Sequence, residues 1–185
     1  KAKTRESLEK RAEELVKIRM EKEAVANLTK KSVVAIPSVL VDYETKHQID
    51  HFIEHLQKDG MTLEKYLEIT DTDFESVEEE FRKRAFWQLK KMFVLQEYAK
   101  KNGIAVGQEE MNEEMAKIAQ ENGKEIEEVR QILKKNDKMD ELQDQKLRQK
   151  IILDILQKVK IKELEEPLNV DQWKALEDPE EEMVE

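Results

Sequence analysis

The stretch Thr72–Asn102, TDFESVEEEFRKRAFWQLKKMFVLQEYAKKN, decides the fold. Its apolar residues recur at helical spacing: Phe74, Val77, Phe81, Ala85, Leu89, Met92, Leu95 and Ala99 make one stripe. In the second half Trp87, Val94 and Tyr98 add another stripe, and Phe86 and Phe93 a third. Thr72 with Glu75 reads as a capping box, and an acidic first turn suits the positive end of the helix dipole. The stretch predicts one long helix ending at Asn102-Gly103. Its later half, apolar all round, is either buried on every side or offered to a partner. Burial is the reading taken, with Trp87 and Phe93 in the core of a central body.

Downstream, Gly107 takes a cap position and a helix runs to Asn122-Gly123 with Met111, Met115, Ile118 and Ala119 apolar. A partner helix, about Glu125 to Lys135, carries Ile126, Val129, Ile132 and Leu133. The two form a hairpin over about 107–135 with a thin seam and little interior. The next helix, about 138–160, ends in KIILDILQKV (Lys150–Val159) and is apolar nearly all round there, which assigns Ile152 and Leu156 to the body. The closing EDPEEEMVE makes 166–185 an acidic tail without expected order. Upstream, Thr4 to Lys30 reads as a long helix with a loose stripe that includes Leu8, Leu15, Ile18 and Leu28. Pro37 opens a second helix that stops at Asp59-Gly60, and MTLEKYLEIT (Met61–Thr70) gives a short third one capped by Thr62.

The totals fit this reading. Charged residues are 41 %, apolar 38 % and aromatic 5 %. That charge is far above the ~25 % of an average globular chain, so one thick spherical core is out of reach. An elongated set of amphipathic helices, each burying one stripe, suits the balance. The net charge of −10 argues against nucleic acid as a direct partner. No apolar run approaches the ~20 residues that span a bilayer, so no membrane partner is expected. The chain has no cysteine, which fits a reducing compartment, and it begins KAKTRESLEK, which reads as a piece of a longer protein.

All three histidines, His47, His51 and His55, lie four residues apart in KHQIDHFIEHL (Lys46–Leu56). That spacing stacks imidazoles on one helix face, where two of them with a carboxylate could hold zinc. The competing reading is a solvated polar face, because Ile49, Phe52, Ile53 and Leu56 cluster roughly opposite. A structural zinc site wants four ligands and shelter, so the solvated face is preferred and no metal or other cofactor is expected. No phosphate loop, nucleophile elbow or credible catalytic triad occurs. The residues thus describe an all-α, extended, non-enzymatic interaction protein. A helical scaffold with one fixed protein partner is the alternative, although sustained heptads are missing.

Several landmarks, in order, resemble the C-terminal domain of trigger factor, the bacterial ribosome-associated chaperone family. They are VVAIPSVLVDYE (Val33–Glu44), the block Leu63–Val106, the hairpin Gln108–Asn136 and the closing helix DQKLRQKIILDILQKVKIKE (Asp144–Glu163). The likeness runs to about Glu165. It departs at Gly107, where the family usually has Ser or Thr. Nothing in the chain resembles the family's ribosome-binding head or its prolyl isomerase domain, so neither property is assigned to any residue here. A periplasmic SurA-like chaperone domain is a related alternative.

The resemblance implies an elongated helical body with two protruding helical arms forming an open cradle, the first arm over about 33–70. Unfolded and nascent polypeptides would be held there without ATP, assisting folding and export in the cytoplasm. The ribosome would be a partner only through the missing N-terminal domain, and homodimerisation stays open. Client contacts are expected at Phe52, Leu56, Tyr66 and Leu67, and in the hairpin at Met111, Met115, Ile118, Val129, Ile132 and Leu133. Met111 and Met115 head that list because a two-helix hairpin has little interior to hide them.

Overall fold

In the computed structural model, residues 2–160 are described, with side chains from residue 10 onward. They form seven helices and no strand: α1 Ala2–Lys31, α2 Ser38–Lys58, α3 Leu63–Thr70, α4 Phe74–Asn102, α5 Gln108–Asn122, α6 Ile126–Lys135 and α7 Met139–Lys158. The acidic stretch 166–185 lies outside the described residues. Among those that are described, one compact unit takes the chain up to Ala24 and from Leu95 onward, and a second takes Val25–Val94.

Local chemistry sets the helix ends. Thr62 caps α3 by accepting from the Lys65 N–H at 3.3 Å. The cap of α4 is Asp73, whose Oδ1 accepts from the Ser76 N–H at 2.7 Å. Thr72 instead shares a hydroxyl contact with Thr70, so the expected Thr72–Glu75 capping box does not form. An ionised carboxylate is the stronger acceptor for an exposed N–H at a positive helix end, and Asp73 outcompetes its neighbour. At α5 half of a capping box survives: Glu110 accepts from the Gly107 N–H at 2.9 Å, and glycine offers no side chain in return. Gly123 closes α5 in the left-handed region at φ 62°, with Lys124 N–H donating to the Ala119 carbonyl at 2.9 Å.

In the second unit α2 buries Val41, Thr45, Ile49 and Leu56, a single seam along one face. The Thr45 hydroxyl is satisfied by the Val41 carbonyl at 2.7 Å, so its burial leaves no orphan donor. Side chains tie α2 to the first half of α4: Gln48 to Gln88 at 2.9 Å, and Asp42 to Arg82 at 2.6 Å. In the first unit the core is Met111, Met115, Ala119, Val129 and Leu142, ringed by half-buried Val106, Ile118, Leu133 and Met139. Three helices contribute to it, α5, α6 and the first turns of α7. Met115 has no exposed surface at all. Replacing it by alanine should cost this unit about 2–5 kcal/mol, the range for emptying a filled core site. Urea unfolding of the Met115→Ala variant checks this; a change under half a kcal/mol would contradict the packing.

Candidate functional site

The residues expected to bind clients fall into three groups by accessibility. In the second unit Phe52 sits half-buried between two rings, edge-on to Tyr66 at 5.0 Å and tilted against Phe81 at 5.3 Å. Such ring pairs stabilise beyond the area they bury, by about 0.5–1.5 kcal/mol each. Tyr66 and Leu67 are also half-buried, so Phe52, Tyr66 and Leu67 keep part of their surface accessible. Leu56 does not: it is sealed into the α2 seam.

Of the hairpin residues expected to bind clients, Met111, Met115 and Val129 are buried, Ile118 and Leu133 are half-buried, and Ile132 is exposed. The expectation that Met111 and Met115 present themselves to clients is corrected. α7 supplies Leu142 and Met139 as a third wall, so the two methionines fill an interior that a bare hairpin would lack. Leu56 and Val129 are corrected for the same reason, each occupying the buried seam of its own helix. The central-body expectation is corrected too. Trp87, Phe93, Ile152 and Leu156 are only half-buried, while their neighbours Val94, Ile151 and Ile155 are the buried residues.

Apolar side chains that were not anticipated stand exposed. Tyr43 is 72 % and Ile69 63 % accessible. Phe74, Phe86, Met92, Ile126 and Leu153 are exposed as well. Tyr43, Phe86 and Leu153 lie off the buried seams of their helices, Ile69 sits on α3, which buries no residue, and Phe74 and Met92 share the main stripe of α4 yet stay uncovered. Tyr43 stands about 200° around α2 from Val41, and that offset is the signal in the sequence that would have found it.

Ion pairs hold α7 against α5 around the buried methionines. Lys146 Nζ lies 2.7 Å from Glu114 Oε2, both half-buried, and Lys150 Nζ lies 2.7 Å from Glu110 Oε1. Lys150 also donates to the Ala105 carbonyl, fixing the loop before α5. The hydrogen bond from Lys146 holds the Glu114 carboxyl below its ordinary range, and the same bond raises the Lys146 ammonium. Glu110 is lowered by Lys150 first and then by the Gly107 N–H. At the far end of α7, Asp154 accepts from Lys158 at 2.6 Å and from the Tyr98 hydroxyl at 2.7 Å. Lys158 first, then Tyr98, lowers Asp154, whereas burial first, then Asp154, raises the Tyr98 phenol.

Among the described residues no group of three or more His, Cys, Asp or Glu side chains converges on a metal-sized point. His47, His51 and His55 are all exposed. No described helix is long and apolar enough to cross a membrane.

A model of the family described as bacterial trigger factor protein C-terminus matches residues 1–157. The chain is 34 % identical over 119 residues to trigger factor of Carboxydothermus hydrogenoformans, covering 64 % of this chain and 28 % of that protein. It is 33 % identical over 131 residues to trigger factor 1 of Desulfitobacterium hafniense, covering 71 % and 31 %. It thus spans less than a third of these relatives' length. A solved structure from work on the domains of trigger factor from Thermotoga maritima aligns with a TM-score of 0.55. That alignment covers 77 % of this chain and 85 % of the other at 22 % identity, a likeness of fold.

The pH dependence follows from these lowered carboxyls. A carboxylate whose folded value lies below its unfolded one stabilises the fold above the unfolded value and loses that contribution as pH falls. The unit holding α5–α7 should therefore weaken as pH drops from neutrality through the carboxylate range. Urea unfolding of wild type and Glu114→Gln between pH 7 and pH 3 checks this. The variant should be less stable at pH 7 and the gap should close toward pH 3; a gap that is constant with pH would contradict the pairing.

Proposed function

Because the chain belongs to the bacterial trigger factor C-terminus family, we propose that it is a holding module for unfolded and newly made polypeptides, working without nucleotide. One observation carries the reading: large apolar and aromatic side chains stay accessible on both helical units within a strongly charged surface. In one unit these are Tyr43, Ile69 and Phe74, beside the half-open Phe52, Tyr66 and Leu67. In the other they include Ile126 and Ile132.

Single exposed apolar residues are ordinary on a protein surface. Aromatic clusters left half-covered are less so, and they offer contact to any greasy segment regardless of its sequence. Each patch would gain only about 25 cal/mol per Å² removed from water. Weak patches engaged together give avidity with rapid release. The surrounding Lys and Glu side chains keep the unloaded surface hydrated and repel collapse onto a second copy.

The contact role passes from the methionines to the outer residues. Met111, Met115 and Val129 support the hairpin from beneath, and Ile132 is its outward contact. Leu56 likewise supports α2 under Phe52. Ribosome docking and prolyl isomerisation are assigned to no residue of this sequence. The setting proposed is the cytoplasm, in keeping with a chain free of cysteine.

Aggregation of several unrelated unfolded proteins, followed by light scattering without nucleotide, tests the reading. The wild-type chain should slow it. An Ile69→Ser/Phe74→Ser/Ile132→Ser variant should keep its helix content and protect at least twofold less well. Equal protection by the variant would contradict the proposed surface.

A further inference from the structure

We propose that His47 and His51 form a two-imidazole chelate for a divalent transition metal of the zinc, nickel and copper class, on the outer face of α2. The two residues lie one helical turn apart, and their ring centres are 5.1 Å apart. A nitrogen ligand sits about 2.0–2.1 Å from zinc, which with a ring radius of roughly 1.2 Å puts each ring centre about 3.2 Å from the metal. Two such rings at a tetrahedral angle have centres about 5.2 Å apart. The observed ring centres stand at that separation, so a rotation that turns one nitrogen of each ring toward the other would complete the chelate without moving the rings apart.

The second pair is set wider. His51 and His55 have ring centres 6.2 Å apart. By the same geometry, that spacing needs an angle of about 150° at the metal, far from tetrahedral. His51 is therefore the ligand shared by both pairs, and His47 its better-placed partner.

The surroundings favour a cation. Asp50 and Glu54 alternate with the histidines on the same side of α2 and add negative charge beside His51. All three histidines are exposed, and among the described residues no hydrogen bond or ion pair engages their imidazole nitrogens. Their ring nitrogens are thus not committed to another partner, as a metal ligand requires. Packing does not compete for them, because the buried seam of Val41, Thr45, Ile49 and Leu56 lies on another face of α2. With two protein ligands, two tetrahedral positions are left to water, one more than in the three-ligand open sites of zinc enzymes. Imidazole suits zinc, nickel and copper alike, so affinity should rank copper above zinc.

Isothermal titration of the chain with zinc chloride, in a buffer that does not bind metal, tests this. Wild type should bind one zinc per chain with no change in mass by light scattering. His51→Ala should lose at least tenfold in affinity, His47→Ala should also weaken clearly, and His55→Ala should stay within about twofold of wild type. Circular dichroism checks that each variant keeps its helices. Binding by His51→Ala equal to wild type would overturn the site. Loss in His55→Ala with none in His47→Ala would overturn the assignment of the pair. Zinc-driven dimerisation would overturn a chelate completed on one helix.

Discussion

Two antiparallel helices that share one apolar seam have no inside until a third element closes them. In this chain α7 is that element. Leu142 joins Met111, Met115, Ala119 and Val129, and the five side chains form a core that excludes water. The ion pairs Lys146–Glu114 and Lys150–Glu110 then fix the register of α7 on α5 from outside. Partly buried pairs of this kind hold geometry as much as they add stability. The position of everything exposed on the hairpin, Ile132 above all, follows from this closure.

The second unit solves the same problem with rings. Phe52 of α2 lies between Tyr66 of α3 and Phe81 of α4, so one side chain gathers three helices. Because the ring cluster is only half-covered, it both holds the unit together and leaves apolar surface in water. Buried and accessible apolar residues are thus neighbours on the same helices. Chains with a large charged fraction and few aromatics cannot close every apolar face, and a holding surface is a physically consistent use for what is left open.

Much of the fold was legible because its signals are local. The glycine stops at Gly60, Gly103 and Gly123 and the cap at Thr62 need only a few neighbouring residues to be read. Burial was harder because it depends on which helix arrives next. Met111 and Met115 looked like an exposed seam since Leu142 sits in the polar opening of α7, a poor advertisement for a core residue. Conversely, the all-round apolar character of Phe86–Tyr98 suggested complete burial, yet Phe86 and Met92 stay exposed. Periodicity identifies which residues share a face and says nothing of how many faces find a partner. The Asp73 cap shows the same limit at small scale: two adjacent candidates compete, and charge decides.

Methyl NMR of the chain with an unfolded client added tests the division between supporting and contacting residues most directly. The account predicts that the Ile69 and Ile132 methyl signals shift and broaden on client addition while those of Met111 and Met115 stay in place. Client-induced shifts confined to the two methionines, with Ile69 and Ile132 unmoved, would mean that the hairpin opens to bind and would contradict it.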